Sequence, residues 1–273
     1  MNKSIFTGLC RHSGKAFFLL SLQIVALNSF SQAPDYFKYF DQYNVSGSFV
    51  MYNMNDSSYF EIDQARCNKR FTPASTFKIF NSLVGLETGV IADENFVLEW
   101  DSVKRNVPEW NKSQDMKTAF KNSTVWYYQE LARRVGETKM SKYIKLAQYG
   151  NMNISGGIDQ FWLTGNLRIS QEEQIDLLKK LYTNSLPFSK HSQEIVKKIM
   201  LREDTLGYKL RAKTGWGVQD SIDIGWYVGW VEKGKNVYFF ATNIESKNPG
   251  DSFPAARIEI TKDILRELKV LQY

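Results

Sequence analysis

Ser75 and Lys78 stand three residues apart in the run Pro73-Ala74-Ser75-Thr76-Phe77-Lys78. After them Phe80, Leu83, Val84 and Leu86 recur at helical spacing and Gly89 offers a stop, so the sequence predicts a helix over residues 75–88. On such a helix positions i and i+3 share a face, and the Ser75 hydroxyl can meet the Lys78 amine. Unpaired N–H groups and the positive end of the dipole at a helix start favour negative charge developing there. A serine nucleophile with a lysine-derived base can be built this way. The competing reading is a capping serine beside a solvated lysine. Against it, Lys78 is flanked by Phe77, Ile79 and Phe80, which offer little polar surface. A lysine at its ordinary pKa of about 10.4 is neutral roughly once in 2,500 molecules at pH 7, so a basic Lys78 requires burial.

Histidine cannot easily take the role of base. The chain has two, His12 and His191, and the second lies in the polar helix start Ser189-Lys190-His191-Ser192-Gln193-Glu194, where it is expected to face solvent. A serine–histidine triad or a histidine-rich zinc site would have to use it. Lys78 gains weight by elimination, and no metal is expected.

The elements that must position this pair lie at both ends of the chain. An aromatic segment, residues 35–43, reads as a short helix; residues 45–52 and 58–62 read as a hairpin. Helical periodicity marks residues 123–134, 138–148, 171–184 and 189–201. Residues 208–214, 224–232 and 236–244 are rich in aromatic and β-branched types, with Lys233-Gly234-Lys235 as a tight turn. Residues 254–268 close the chain as an amphipathic helix. Strands at both ends and helices between them predict an α+β fold, one antiparallel sheet of N- and C-terminal strands with a helical region inserted. A ligand site belongs where the sheet meets that insertion.

Composition bounds the rest. With 273 residues, 43% of them hydrophobic, the chain can bury a sizeable core. Of the formal charge of +6, Lys3, Arg11 and Lys15 supply three, and residues 1–31 contain no acid. What remains is too small and too evenly spread to argue for nucleic acid. A basic start, an apolar run over residues 16–27 and Ser29-Phe30-Ser31 read as a cleaved secretory signal, residues 1–31; the run is short of the roughly 20 residues of a membrane span. The alternative is an N-terminal anchor. Cleavage leaves residues 32–273 as one domain in the periplasm, not stably inserted in a membrane. It removes Cys10 and leaves Cys67 alone, a small core residue by expectation.

Three further motifs carry usable groups. Ser123-Thr124-Val125 opens a helical stretch, Tyr149-Gly150-Asn151 lies in a turn between helices, and Lys213-Thr214-Gly215 ends a strand. Residues 216–223 read as the loop to the next strand.

In that order, S-T-F-K, S-x-V, Y-G-N and K-T-G resemble the serine-active, penicillin-recognising superfamily, and within it the class D β-lactamases, or oxacillinases. The resemblance runs from about Val45 onward and extends to Pro73-Ala74, to the run from Ser155 through Leu163, and to Gly225-Trp226-Tyr227-Val228-Gly229-Trp230. It implies hydrolysis of the β-lactam ring through an acyl-serine intermediate, and with it antibiotic resistance. Ser75 would be the nucleophile and Lys78, carbamylated by carbon dioxide or bicarbonate, the general base. Ser123 would pass a proton to the leaving nitrogen with help from Lys213. Lys213, Thr214 and Arg257 would engage the substrate carboxylate, and the N–H groups of Ser75 and Trp216 would form the oxyanion hole. Trp162 would hydrogen-bond the carbamate, with Val125 and Leu163 as apolar surface beside it. No other cofactor is implied, and the partner is a small β-lactam met by a monomer or homodimer. A penicillin sensor or a penicillin-binding transpeptidase, acylated without turnover, is the alternative. An exported binder of anionic cell-wall fragments would need Lys213 and Arg257 but neither Ser75 nor Lys78.

Overall fold

The structure, a computed structural model, describes residues 34–272. Helix α1 (Lys38–Asp41) leads into the hairpin β1 (Ser46–Asn53) and β2 (Ser58–Ile62), followed by α2 (Gln64–Cys67). A 3-10 turn (Ala74–Phe77) runs directly into α3 (Lys78–Glu87). A small two-stranded sheet, β3 (Val97–Leu98) with β4 (Gln114–Asp115), precedes α4 (Met116–Lys121), α5 (Val125–Val135) and α6 (Glu137–Ala147). Helices α7 (Gln171–Tyr182) and α8 (Lys190–Ile199) complete the insertion. Then come β5 (Leu201–Asp204), β6 (Lys209–Gln219), β7 (Ile222–Lys233), β8 (Asn236–Ser246) and α9 (Phe253–Glu267).

The main sheet has the order β2-β1-β8-β7-β6-β5, with every neighbouring pair antiparallel. The expected α+β architecture is therefore present, and β1 pairs with β8 across the inserted helices. Strand side chains alternate between faces. On β7, Ile224, Trp226, Val228 and Trp230 enter the core shared with the helical region, whereas Tyr227 and Val231 enter a second core. That second core also holds Phe40 of α1 and Ile260 and Ile264 of α9. With both faces covered, the middle of β7 is buried throughout.

The structure corrects four expectations. The helix predicted from residue 75 begins at Lys78, and Ser75 lies in the 3-10 turn before it. There the Thr76 N–H and Oγ1 both donate to Pro73 O, at 3.1 and 2.7 Å, which tightens the first turn. Ser123 lies in a turn and not in α5, because the unanticipated α4 ends just before it. The helix expected over 189–201 stops at Ile199, and Leu201 begins β5.

The K-T-G motif does not end its strand: β6 continues to Gln219, and residues 216–223 form a hairpin instead of a loop. Asp220 and Ser221 both have positive φ, 52° and 61°, the signature of a two-residue mirror-image turn. Gly215 hides this strand from a propensity reading, but its lack of a side chain has a use. A Cβ there would lie 3.0 Å from Pro73 O, a tight contact that glycine avoids where β6 approaches the Ser75 turn.

Residues 1–31, with the signal segment, Cys10 and His12, lie outside the described residues. No helix among the described residues is long and apolar enough to cross a membrane.

Candidate active site

In a 3-10 turn side chains three residues apart eclipse each other, and the Ser75 turn brings its hydroxyl directly to the lysine that follows. Lys78 Nζ donates to Ser75 Oγ at 2.8 Å. Lys78 is fully buried, and burial pushes its amine down to about 7. About half of such lysines are neutral at pH 7, against one in thousands for an exposed one. The turn itself is strained: Ala74 has φ 47°, rare for a residue with a side chain, and its N–H is held by Trp162 O at 3.0 Å.

Trp162 is wholly buried, and its indole Nε1 has no hydrogen-bond partner. A buried N–H without an acceptor is costly, so this donor calls for an acceptor to occupy the site.

Across the cleft, Lys213 Nζ donates to Ser123 Oγ and to Thr214 O, the latter at 2.9 Å. Lys213 is fully buried; burial first, then the neighbouring Lys78, Arg202 and Arg257, hold its pKa well below the ordinary lysine value. Ser123 has φ 55°, a second strained position at the site. Arg257 reaches in from α9, donates to Gly215 O at 2.5 Å, and is pulled down to about 10 by burial. Its Nε has no partner.

Arg257 lines the cleft, and Lys78 and Lys213 lie directly behind its serines, each basic group hydrogen-bonded to neutral oxygens: Lys78 to Ser75, Lys213 to Ser123 and Thr214, and Arg257 to Gly215. Such a site attracts an anion.

The cleft has a volume of about 270 Å³ and brings together Ser75, Ser123, Val125, Thr214, Trp216 and Arg257. Strand geometry also aims a backbone donor at it. Ala212 N donates to Met200 O on the β5 side of β6, so the alternation of an antiparallel ladder turns the N–H groups of Thr214 and Trp216 to that same edge. Beyond Arg211 that edge is free of β5 and faces the Ser75 turn.

A family model, the penicillin binding protein transpeptidase domain, matches residues 32–266. Beta-lactamase OXA-48 of Klebsiella pneumoniae is 45% identical over 233 residues, 85% of this chain and 87% of that protein. Beta-lactamase OXA-5 of Pseudomonas aeruginosa is 44% identical over 235 residues, 84% of this chain and 88% of its own length. The crystal structure of the class D β-lactamase YbXI from Nostoc superposes with a TM-score of 0.84 at 46% identity, covering 87% of this chain and 99% of that one. The chain belongs to the class D β-lactamases.

Within this class D β-lactamase the other sequence-predicted groups fall in several places. Trp216 is 44% exposed at the mouth, its indole donating to Asp223 Oδ1 at 2.6 Å. Leu163 packs against the larger core but does not line the cleft, unlike Val125. Of Y-G-N, Tyr149 is buried with its hydroxyl unpartnered, while Asn151 is committed to its own loop, donating to Asn166 O and accepting from Arg168 N. His191 is exposed on α8, and Cys67 is buried in the core, its thiol pushed up to about 12 by burial.

Sequence reasoning missed Val107 and Trp110, which line the cleft from the segment between β3 and β4, and Arg202. The Pro108-Glu109-Trp110 turn carried a signal, an aromatic residue in an otherwise polar stretch, but nothing local ties it to Ser123 some dozen residues on.

Proposed function

We propose that the protein hydrolyses β-lactam antibiotics through an acyl-serine intermediate, with a carbamylated Lys78 as general base. The observation that carries this reading is the fully buried Lys78 amine on Ser75 Oγ, in a site where the equally buried Trp162 N–H has no acceptor. Those residues fit a carbamate. Lys78 supplies a nitrogen that is neutral often enough to add carbon dioxide, and the Trp162 indole supplies a donor with nothing to accept. When bound as a carbamate on Lys78, carbon dioxide supplies an anionic oxygen base.

The chain's own groups do the rest. Ser75 Oγ gives up its proton on the Lys78 side and attacks the lactam carbonyl carbon, the C–N bond breaks, and the ring nitrogen takes the proton of Ser123, which Lys213 Nζ, donating to Ser123 Oγ, replaces. The N–H groups of Ser75 and Trp216 hold the oxygen of the tetrahedral intermediate; in other acyl-transfer enzymes one such donor is worth about 3–4 kcal/mol. Arg257 and Thr214, which line the cleft, and Lys213 behind them hold the carboxylate that penicillins carry beside the ring. Water then attacks the ester and frees Ser75.

Export of the mature chain, residues 32–273, to the periplasm rests on the N-terminal basic-apolar segment and would put the activity where it protects the cell from the drug. Spectrophotometric hydrolysis of a penicillin, with and without added bicarbonate, tests the mechanism. Turnover that Ser75→Ala abolishes, and that falls when carbon dioxide is stripped out and returns with bicarbonate, is the expected result. Turnover indifferent to bicarbonate after acid treatment would remove the carbamate.

A further inference from the structure

The segment between β3 and β4 does more than wall the cleft. Trp110 ends the Pro108–Trp110 turn with one side of its indole at the cleft, and its Nε1 donates to Asn122 O at 3.0 Å. Asn122 caps the C-terminus of α4, where the last carbonyls have no partner in the helix. The next residue is Ser123, whose left-handed backbone is unfavourable for a residue with a β-carbon. Such a conformation persists only where the surroundings over-determine it.

The surroundings here are two struts and an anchor. Trp110 Nε1 holds Asn122 O. Thr124 Oγ1 donates to Gln114 Oε1 at 2.8 Å, and Gln114 Nε2 in turn donates to Glu109 O at 2.7 Å. Trp126 of α5 fixes the other end, its Nε1 donating to Trp110 O at 2.7 Å. Three of these bonds join the 109–114 segment to the residues on either side of Ser123 or to the start of α5, and the Gln114–Glu109 bond braces the segment itself.

We propose that Trp110 is a positioning residue for Ser123: its indole N–H locks the Asn122 peptide and so keeps Ser123 Oγ on Lys213 Nζ. The inference rests on the reading of Ser123 as the proton carrier in acylation. It makes the cleft wall and the proton path one mechanical unit, so that a substrate substituent pressing on the Trp110 ring acts on proton delivery as well as on binding.

The test is a double-mutant cycle on the acylation rate, read by stopped flow with a chromogenic cephalosporin, using Trp110→Phe, Ser123→Ala and both together. Trp110→Phe keeps an apolar ring and loses the donor; a single lost hydrogen bond predicts roughly a five- to tenfold slower acylation. Deacylation is expected to stay within about twofold. Ser123→Ala is expected to slow acylation by about a hundredfold or more. In its background Trp110→Phe should have no further effect, because coupled residues are not additive.

Equal effects of Trp110→Phe in both backgrounds, or an effect on KM alone, would overturn the proposal and leave the reading of Ser123 intact. Wild-type acylation in Ser123→Ala would remove that reading, and this proposal with it. Replacing Trp110 by benzothienylalanine, which keeps the ring size and substitutes sulfur for the N–H, guards against a folding defect. It should reproduce the Trp110→Phe acylation rate with an unchanged Tm, and wild-type acylation in that variant would also overturn the proposal.

Discussion

The indole of Trp162 stacks on the ring of Phe77, with centroids 5.3 Å apart and planes 25° from parallel. Phe77 lies between Ser75 and Lys78 in sequence, so the ring that orients Trp162 belongs to the turn that carries the nucleophile. The unpartnered N–H is thereby held in place before any acceptor arrives, which is preorganisation of a donor in a dry site. Trp162→Phe removes that donor. The bicarbonate concentration for half-maximal activity should rise about tenfold or more, since hydrogen bonds to charged groups exceed ordinary ones. The carbon-13 carbamate signal should weaken at fixed bicarbonate; an unchanged signal would contradict the assignment.

Burial of Lys78 makes stability depend on pH with a defined sign. Its amine titrates at about 7 in the folded chain against the ordinary 10.5. Between those values the unfolded chain holds more protons, so stability rises with pH across that window and this contribution is flat below it. Lys213 acts in the same direction. In carbon dioxide-free buffer, denaturant unfolding from pH 7 to 10 should show wild type gaining stability relative to Lys78→Met. A constant difference between the two would refute the burial argument.

Arg257 donates to Gly215 O with its Nε unpartnered, so its guanidinium keeps capacity for an anionic ligand. Arg257→Ala should weaken penicillin binding by roughly ten- to a hundredfold, the worth of a charged hydrogen bond. Steady-state KM and kcat separate the outcomes: the loss is expected in KM, and a loss confined to kcat would exclude a carboxylate-holding role.

Gly150 supplies a stability test away from the cleft. Its φ is 52°, and a Cβ would lie 2.1 Å from Arg168 O. Gly150→Ala should destabilise the fold by about 2–4 kcal/mol, because backbone atoms have nowhere to move. Urea unfolding reads it directly.

Much of the fold is legible in local pattern, and the reasons are physical. The apolar strands around Trp226 and Phe239 show because β-branched and aromatic residues meet a sheet buried on both faces, and the hairpin at residues 46–62 shows through its turn between two strand-forming runs. The last turns of β6 are hidden because Gly215 and Gly217 are there for close approach to Pro73 and Ala74, not for propensity. Of the site, Ser75 and Lys78 are legible because one turn joins them. Lys213 and Ser123 meet only through tertiary structure, 90 residues apart in the chain, and their pairing is read from the resemblance. Trp110 and Arg202 escape both routes, since their partners, Asn122 O and Ala212 O, are backbone atoms.

The central claim, turnover through an acylated Ser75, is tested most directly by the intact mass of the protein after mixing with a penicillin, followed from milliseconds to hours with bicarbonate present. The account predicts an adduct of the full drug mass that forms, decays as hydrolysed drug accumulates, and is absent in Ser75→Ala. An adduct that persists would mean a sensor or penicillin-binding role, and no adduct in wild type would contradict the nucleophile itself.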